Sequence, residues 1–182
     1  MSTFFTIGHS TRPLAVFADL LQAAKAEFVA HVRTVPRSRT NPQYNQDGLP
    51  LALKAYQIGY RHFPALGGLR PKVHSVPPST NAFWRHASFH NYADYAMSDA
   101  FRVGLAELRE AGATQCCTIM CAETLWWRCH RRIITDYLIN AGDAVFHILG
   151  QGHIEPAAMT PAARPASSMT LVYPAEIADL FD

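Results

Sequence analysis

The run Cys116-Cys117-Thr118-Ile119-Met120-Cys121 constrains the fold more than any other segment. It is a continuous apolar stretch with a β-branched centre, short enough for a strand and without polar alternation. A strand with no polar face needs cover on both sides, as in a parallel sheet layered between helices. The chain then turns through polar, aromatic and cationic residues and re-enters helical spacing from about Cys129 to Ala141, with Gly142 as the stop. Ala144 to Leu149 supplies the next strand, so the segment reads as a β-α-β unit.

The N-terminus repeats this grammar. Phe4 to Ile7 is a short apolar run that ends at Gly8-His9-Ser10-Thr11. Pro13 suits a first helical turn, with Ser10 or Thr11 available as a cap. Leu14, Phe17, Leu20, Leu21, Ala24 and Phe28 follow at helical spacing, and Phe28 to Val32 reads as a second strand. Such units make parallel strands with right-handed crossovers. Further on, Arg37 to Gly48 reads as an exposed loop, Pro50 to Ile58 as a short helix and Tyr60 to Phe63 as a brief strand. Leu66 to Phe89 lacks sustained periodicity. Helical spacing returns from about Tyr92 through Met97, Phe101, Leu105 and Leu108, with Gly112 as its stop, and Leu171 to Tyr173 suggests an edge strand.

The expected fold is α/β: a mostly parallel sheet of four to five strands with helices on both faces, a Rossmann-like layered architecture. The 182 residues suit a single α/β domain over 1–182, with 150–182 as a C-terminal extension packing on it. A chain of this length buries roughly two-thirds of its unfolded surface and needs no disulfide or metal staple. The net charge of +2 is too small to coat a nucleic acid wholesale. There is neither an apolar run of about 18 residues nor a basic stretch leading into an apolar signal core, so no membrane partner and a cytoplasmic location are expected. The four cysteines, Cys116, Cys117, Cys121 and Cys129, form no C-x-x-C pair and are expected to be reduced thiols.

Ligands of open parallel sheets bind beyond the carboxyl ends of the strands, so the residues just past each strand are the candidate site. Arg33, Arg37 and Arg39, around Pro36 and Ser38, either grip a phosphate or carboxylate or form a solvated loop. Glu123 is a general base, a ribose ligand, or a helix N-terminal acid. Cys121 is a nucleophile if a cation lowers its pKa, or an inert buried thiol. It does not open a tyrosine-phosphatase loop, because Arg128 lies one position beyond C-x5-R. His130 and Arg131 either build an anion site at a helix start, or Arg131 pairs locally with Glu123; the two are compatible. His9 is a ligand contact, a catalytic base or a structural member of its turn. Trp126 and Trp127 lie in a loop, where one ring can stack on a base. His9, Cys121, Glu123, Cys129 and His130 are of metal-ligating types, but their spacing is not diagnostic and no metal is assigned.

In order along the chain, "TIGHS" at Thr6 to Ser10, "VRTVPRSRTNPQYN" at Val32 to Asn45, "ALGG" at Ala65 to Gly68, "WRHASFHNYADYAM" at Trp84 to Met97 and "MCAETLWWRCHRRII" at Met120 to Ile134 resemble the domain of unknown function 488 family. The resemblance covers roughly Thr3 to Leu149. It implies a compact α/β domain whose motif residues match Gly8, His9, Ser10, Arg33, Pro36, Arg37, Ser38, Arg39, Gly67, Gly68, Cys121, Glu123, Cys129, His130 and Arg131. It also implies an aspartate two residues ahead of the strand-two arginine, where this chain carries His31. The family name carries no activity and the sequence names no cofactor.

Together these residues suggest an enzyme, hydrolytic or nucleotide- or base-modifying, acting on an anionic, nucleotide-like or nucleic-acid substrate. Glu123, His9, His130 and Cys121 are the candidate catalytic groups; Gly8, Ser10, Arg33, Arg37, Arg39, Gly67, Gly68 and Arg131 are the candidate ligand-binding groups. The alternative is a non-catalytic module for a nucleic acid or small anion, which needs the same arginines but no acid–base pair.

Overall fold

A computed structural model of the chain describes residues 1–167 and 169–175. Six strands make one sheet: β1 (Thr3–Gly8), β2 (Phe28–His31), β3 (Gly59–His62), β4 (Cys117–Cys121), β5 (Ala144–Gly150) and β6 (His153–Pro156). Their order is β3-β2-β4-β1-β5-β6, and only the β5–β6 pair is antiparallel. The sheet thus has six strands rather than four to five. The additional strand, β6, is exposed at all four residues and ends in Pro156, so no burial pattern marks it in the sequence.

Each residue of β4 is buried, as its apolar run requires. Its side chains alternate: Cys117, Ile119 and Cys121 enter one core, Met120 the other. On the Met120 face, α1 (Leu14–Ala23) and α2 (Leu49–Lys54) bring Phe17, Leu20, Leu21, Leu49 and Leu53 against the sheet. On the Ile119 face, α3 (Ala87–Ala96), α4 (Asp99–Thr114) and α5 (Arg131–Asn140) supply Tyr92, Phe101, Leu105, Leu108, Ile133 and Tyr137.

The two β-α-β units are parallel as expected, but neither joins neighbouring strands. β4 lies between β1 and β2, and β1 lies between β4 and β5. The strand that is apolar on both faces takes the middle of the sheet. This interleaving positions the site. The chain leaves β1 for α1 on one face and leaves β4 for α5 on the other, so a crevice opens between their carboxyl ends.

Local details also differ from the sequence pattern. The helical stretch after Tyr92 is two helices: α3 ends at Ala96 with Met97 as its C-cap, and Ser98 caps α4, its hydroxyl accepting from the Phe101 N–H at 3.3 Å. Gly112 does not stop α4, which runs on to Thr114. A Cβ at that position would stand 2.3 Å from the buried Phe4 ring, so the glycine serves packing. Neither Ser10 nor Thr11 caps α1; Pro13 holds the cap position without a side-chain bond. Leu171 belongs to β8 (Thr170–Val172), which pairs with β7 (Arg164–Ser167) in a separate hairpin and not at the sheet edge.

A buried polar network ties this hairpin to the core. Tyr173 donates its hydroxyl to Asp136 Oδ2 at 3.0 Å and its N–H to Asn81 Oδ1 at 3.0 Å. Asn81 donates in turn to Asp94, and the Thr160 N–H donates to Asp136 Oδ1 at 2.8 Å. Burial raises the Asp136 carboxyl to about 6, against the pull of these donors. Tyr173→Phe removes a bond to a charged group while keeping the ring, and is expected to cost about 2 kcal/mol at pH 7. Urea denaturation checks this; an unchanged midpoint contradicts the network's role.

Candidate functional site

The crevice is built from backbone first. The His9 N–H donates to the Cys121 carbonyl at 2.8 Å and the Ser10 N–H to the Ala122 carbonyl at 2.9 Å, so β1 and β4 stay paired past their formal ends. Gly8 permits this closeness: a Cβ there would meet the Glu123 carbonyl at 2.0 Å. Arg12 donates to the Gly8 carbonyl and, at 3.3 Å, to the Leu149 carbonyl, binding the ends of β1 and β5 together. The Tyr44 hydroxyl donates to the Arg12 carbonyl at 2.9 Å, and its ring stacks on His9 at 4.0 Å.

The start of α5 closes the other side. Arg131, only 1% exposed, donates through Nη2 to the Glu123 carbonyl and through Nε to Cys129 Sγ at 3.2 Å. The expected Arg131–Glu123 pairing therefore runs through the backbone, while Glu123 Oε1 accepts from the Leu125 N–H at 3.1 Å. His130 donates from Nε2 to the Val32 carbonyl at 2.8 Å, which turns Nδ1 toward Cys129 Sγ, 3.6 Å away. Its ring lies on Gly68, where a Cβ would stand 2.4 Å away. Gly67 fits against Thr34 in the same manner, and Thr34 Oγ1 accepts from the Leu69 N–H at 2.9 Å.

The electrostatics follow from burial beside cations. Burial lowers His9 to about 4, helped by Arg33, Arg131 and Arg12. His9 donates from Nδ1 to the Ser10 carbonyl at 2.8 Å, and its Nε2 is buried without a partner. Burial and then Arg33 lower His31 to about 3, and His31 Nδ1 shares a hydrogen bond with the Tyr60 hydroxyl at 2.7 Å. Burial and Arg131 lower His147 to about 4. The bond with Cys129 and burial raise the Cys121 thiol. Burial opposes ionisation of Cys129 too, but the Cys121 bond, Arg131 and His130 outweigh it and hold this thiol well below its usual range.

Two cavities meet here. The larger, about 550 Å³, is lined by Ser10, Thr11, Asn41, Gly68, Ser88, Phe89, Thr124 and Arg128 together with Cys121, Glu123, Cys129 and His130. The smaller, about 320 Å³, is lined by Arg33, Thr34, Val35 and Leu69 and shares Gly68, Cys121 and His130 with the first. Of the residues singled out in the sequence, Ser10, Arg33, Gly68, Cys121, Glu123, Cys129 and His130 face these cavities. Gly8, His9, Gly67 and Arg131 stand behind them. Arg37 and Arg39 stay outside both; each is exposed, and Arg37 lies 4.0 Å from Asp47. Trp126 stacks on His147 at 4.3 Å, whereas Trp127 is exposed. Of the five metal-ligating types, Cys121, Cys129 and His130 bring their donor atoms within 4.8 Å of one another.

Sequence reasoning missed Arg12, Tyr44, Asn41 and Arg128, and reached Cys129 only as a residue of metal-ligating type and through the family resemblance. Arg12 and Tyr44 act through backbone carbonyls far along the chain, which no spacing announces. Cys121-x7-Cys129-His130 fits no ligand motif, although both ends of the interval flank the turn after the central strand.

The doubly covered, mostly parallel sheet makes this an α/β protein with a cysteine–histidine–arginine turn at its crevice. The chain belongs to the family described as "Domain of unknown function DUF488", whose model matches residues 13–138. No curated protein and no solved structure matches the chain.

The buried histidines make a prediction about acid stability. Unfolded, His9, His31 and His147 take up protons near pH 6.5; folded, they refuse them until about pH 4 or lower. Asp136 acts oppositely, binding its proton near pH 6 when folded and only near 3.8 when unfolded, and so offsets one of the three. Around pH 5 unfolding then takes up about two net protons, and stability falls by roughly 2–3 kcal/mol per pH unit as pH drops from 6 to 4. Denaturant titrations across this range check it. A level profile contradicts neutral burial of these rings.

Proposed function

We propose that the protein is an enzyme acting on an anionic, nucleotide-like or nucleic-acid substrate in the crevice at the carboxyl edge of the sheet. The observation that carries this is the unneutralised charge of Arg33 on the wall of the smaller cavity. Among the described residues, Arg33 has no carboxylate within 4.0 Å. Arg131 spends its bonds on a carbonyl and a sulfur, and Arg33 Nη1 is buried without a partner. Where the family resemblance implies an aspartate, His31 stands neutral, so β2 offers Arg33 no acid. A buried cation without a counter-ion is costly, and an anion entering beside it recovers much of that cost.

The lining supports the same chemistry. Ser10, Thr11, Asn41, Ser88 and Thr124 offer hydroxyl and amide donors, Arg128 an exposed cation, and Phe89 an apolar ring. Glu123 is the carboxylate on this lining and the proton acceptor we assign to the reaction. His9, neutral and enclosed beneath Tyr44, shapes the field behind it.

Thermal shift with inorganic phosphate, adenosine monophosphate and a single-stranded oligonucleotide tests binding, at low and high salt. At least one is expected to raise the melting temperature, with affinity about tenfold weaker in Arg128→Ala. For the bound compound that turns over, Glu123→Gln is expected to keep binding and lose about 10²- to 10⁴-fold in rate. No response to any of these anions contradicts the proposal. A ligand bound by both proteins but recovered unchanged contradicts its catalytic part and favours the non-catalytic module.

A further inference from the structure

Cys121 ends the central strand and Cys129 and His130 form the turn before α5, yet the two sulfurs and a ring nitrogen lie within 4.8 Å of one another. We propose that these three side chains are the protein ligands of a thiophilic divalent metal ion of the zinc type, with a fourth coordination position open to the larger cavity.

Four observations carry this. First, the imidazole is set in a ligating orientation. Its Nε2–H is committed to the Val32 carbonyl at 2.8 Å, so Nδ1 is the ring nitrogen that faces the thiols and would take the metal in exchange for any proton it carries. Metal-bound histidines are commonly held by such a bond from the other ring nitrogen to a backbone carbonyl. Second, the spacing fits. Cys129 Sγ and His130 Nδ1 are 3.6 Å apart, and two ligands at about 2.3 Å (sulfur) and about 2.0 Å (nitrogen) from a tetrahedral ion stand about 3.5 Å apart.

Third, the surroundings hold the donors in place. The Arg131 guanidinium donates to Cys129 Sγ at 3.2 Å and fixes where that sulfur points. Gly68 lies flush on the His130 ring and fixes its plane. Fourth, the cluster is reachable. All three residues line the larger cavity, which provides a path for the ion. Two sulfurs and an imidazole nitrogen are a donor set suited to zinc and its soft relatives rather than to magnesium or calcium. Cys116 and Cys117 lie outside the cluster.

Loading balances simply. Both thiols lose their protons to solvent, the two sulfur–metal bonds form, and the paired thiolates neutralise the divalent charge, with no oxidant or reductant. Among the described residues no fourth histidine, cysteine or carboxylate joins the cluster. Three protein ligands with an open position is the pattern of catalytic rather than structural zinc. The open position would take water or an anionic substrate oxygen, with Glu123 on the same lining. That role rests on the proposed anion-binding crevice; the metal site itself does not.

The experiment is a cobalt(II) titration of the reduced, chelator-treated protein, followed by X-ray absorption of the zinc-loaded form. The expected result is one equivalent bound, with a thiolate-to-cobalt charge-transfer band, tetrahedral d–d bands and proton release. X-ray absorption should give two sulfurs at about 2.3 Å and nitrogen at about 2.0 Å from zinc. Cys121→Ser and Cys129→Ser should each weaken binding at least about 100-fold, and Cys116→Ser should not. If a serine variant fails to fold, the sulfur count in the wild-type protein decides. No saturable binding, a sulfur-free shell, or a Cys121–Cys129 disulfide that persists under reductant would each overturn the site. Inorganic phosphate added to the cobalt form should shift the d–d bands. If cobalt binds but phosphate leaves the bands unchanged, the open-position role falls while the metal site stands.

Discussion

The buried guanidinium of Arg131 is the interaction on which the crevice depends. It joins the turn after the central strand, through the Glu123 carbonyl, to the start of the following helix, through Cys129 Sγ. A lysine could not span both acceptors from one rigid fork. The turn it braces passes so close to β1 that only glycine fits at position 8. The same cation then sets the local electrostatics, helping to keep His9 and His147 neutral and to draw Cys129 toward its thiolate. The concentration of charge is local, since the chain as a whole carries only +2.

Sheet order explains why residues so distant in sequence meet. With β4 inserted between β1 and β2, the ends of three strands lie side by side, and their exits diverge to opposite faces. Ser10, Arg33 and Glu123 are then neighbours because of topology. Arg12 and Tyr44 secure the arrangement from beneath by bonding carbonyls instead of offering groups to solvent. The shape of the crevice and the stability of the fold draw on the same contacts here. The histidines that pack the crevice are also those whose forced neutrality weakens the fold in acid.

Much of this was legible in the sequence, for reasons that differ by element. β4 announced itself because burial on both faces leaves no charged residue and no polar alternation in a strand, and the strand-end rule then pointed to Ser10, Arg33, Cys121, Glu123 and His130. β6 was illegible because it has no buried side chain and pairs through its backbone alone. The break between α3 and α4 was hidden by Met97 and Phe101, which continue the helical spacing across Ser98. Gly112 looked like a helix stop because only the Phe4 ring, over one hundred positions earlier, explains it. In the basic segment, charge density drew attention to Arg37 and Arg39, but composition does not tell which arginine points inward; Arg33 does, and Arg37 turns toward Asp47.

The most direct test of an unneutralised cationic crevice is to locate an anion in it. Crystals soaked in tungstate, with the metal positioned by its anomalous scattering, are predicted to show the oxyanion inside the crevice, within hydrogen-bonding distance of Arg33 or Arg128. Tungstate found solely along the exposed Arg37–Arg39 loop, with the crevice free of it, would contradict the central claim.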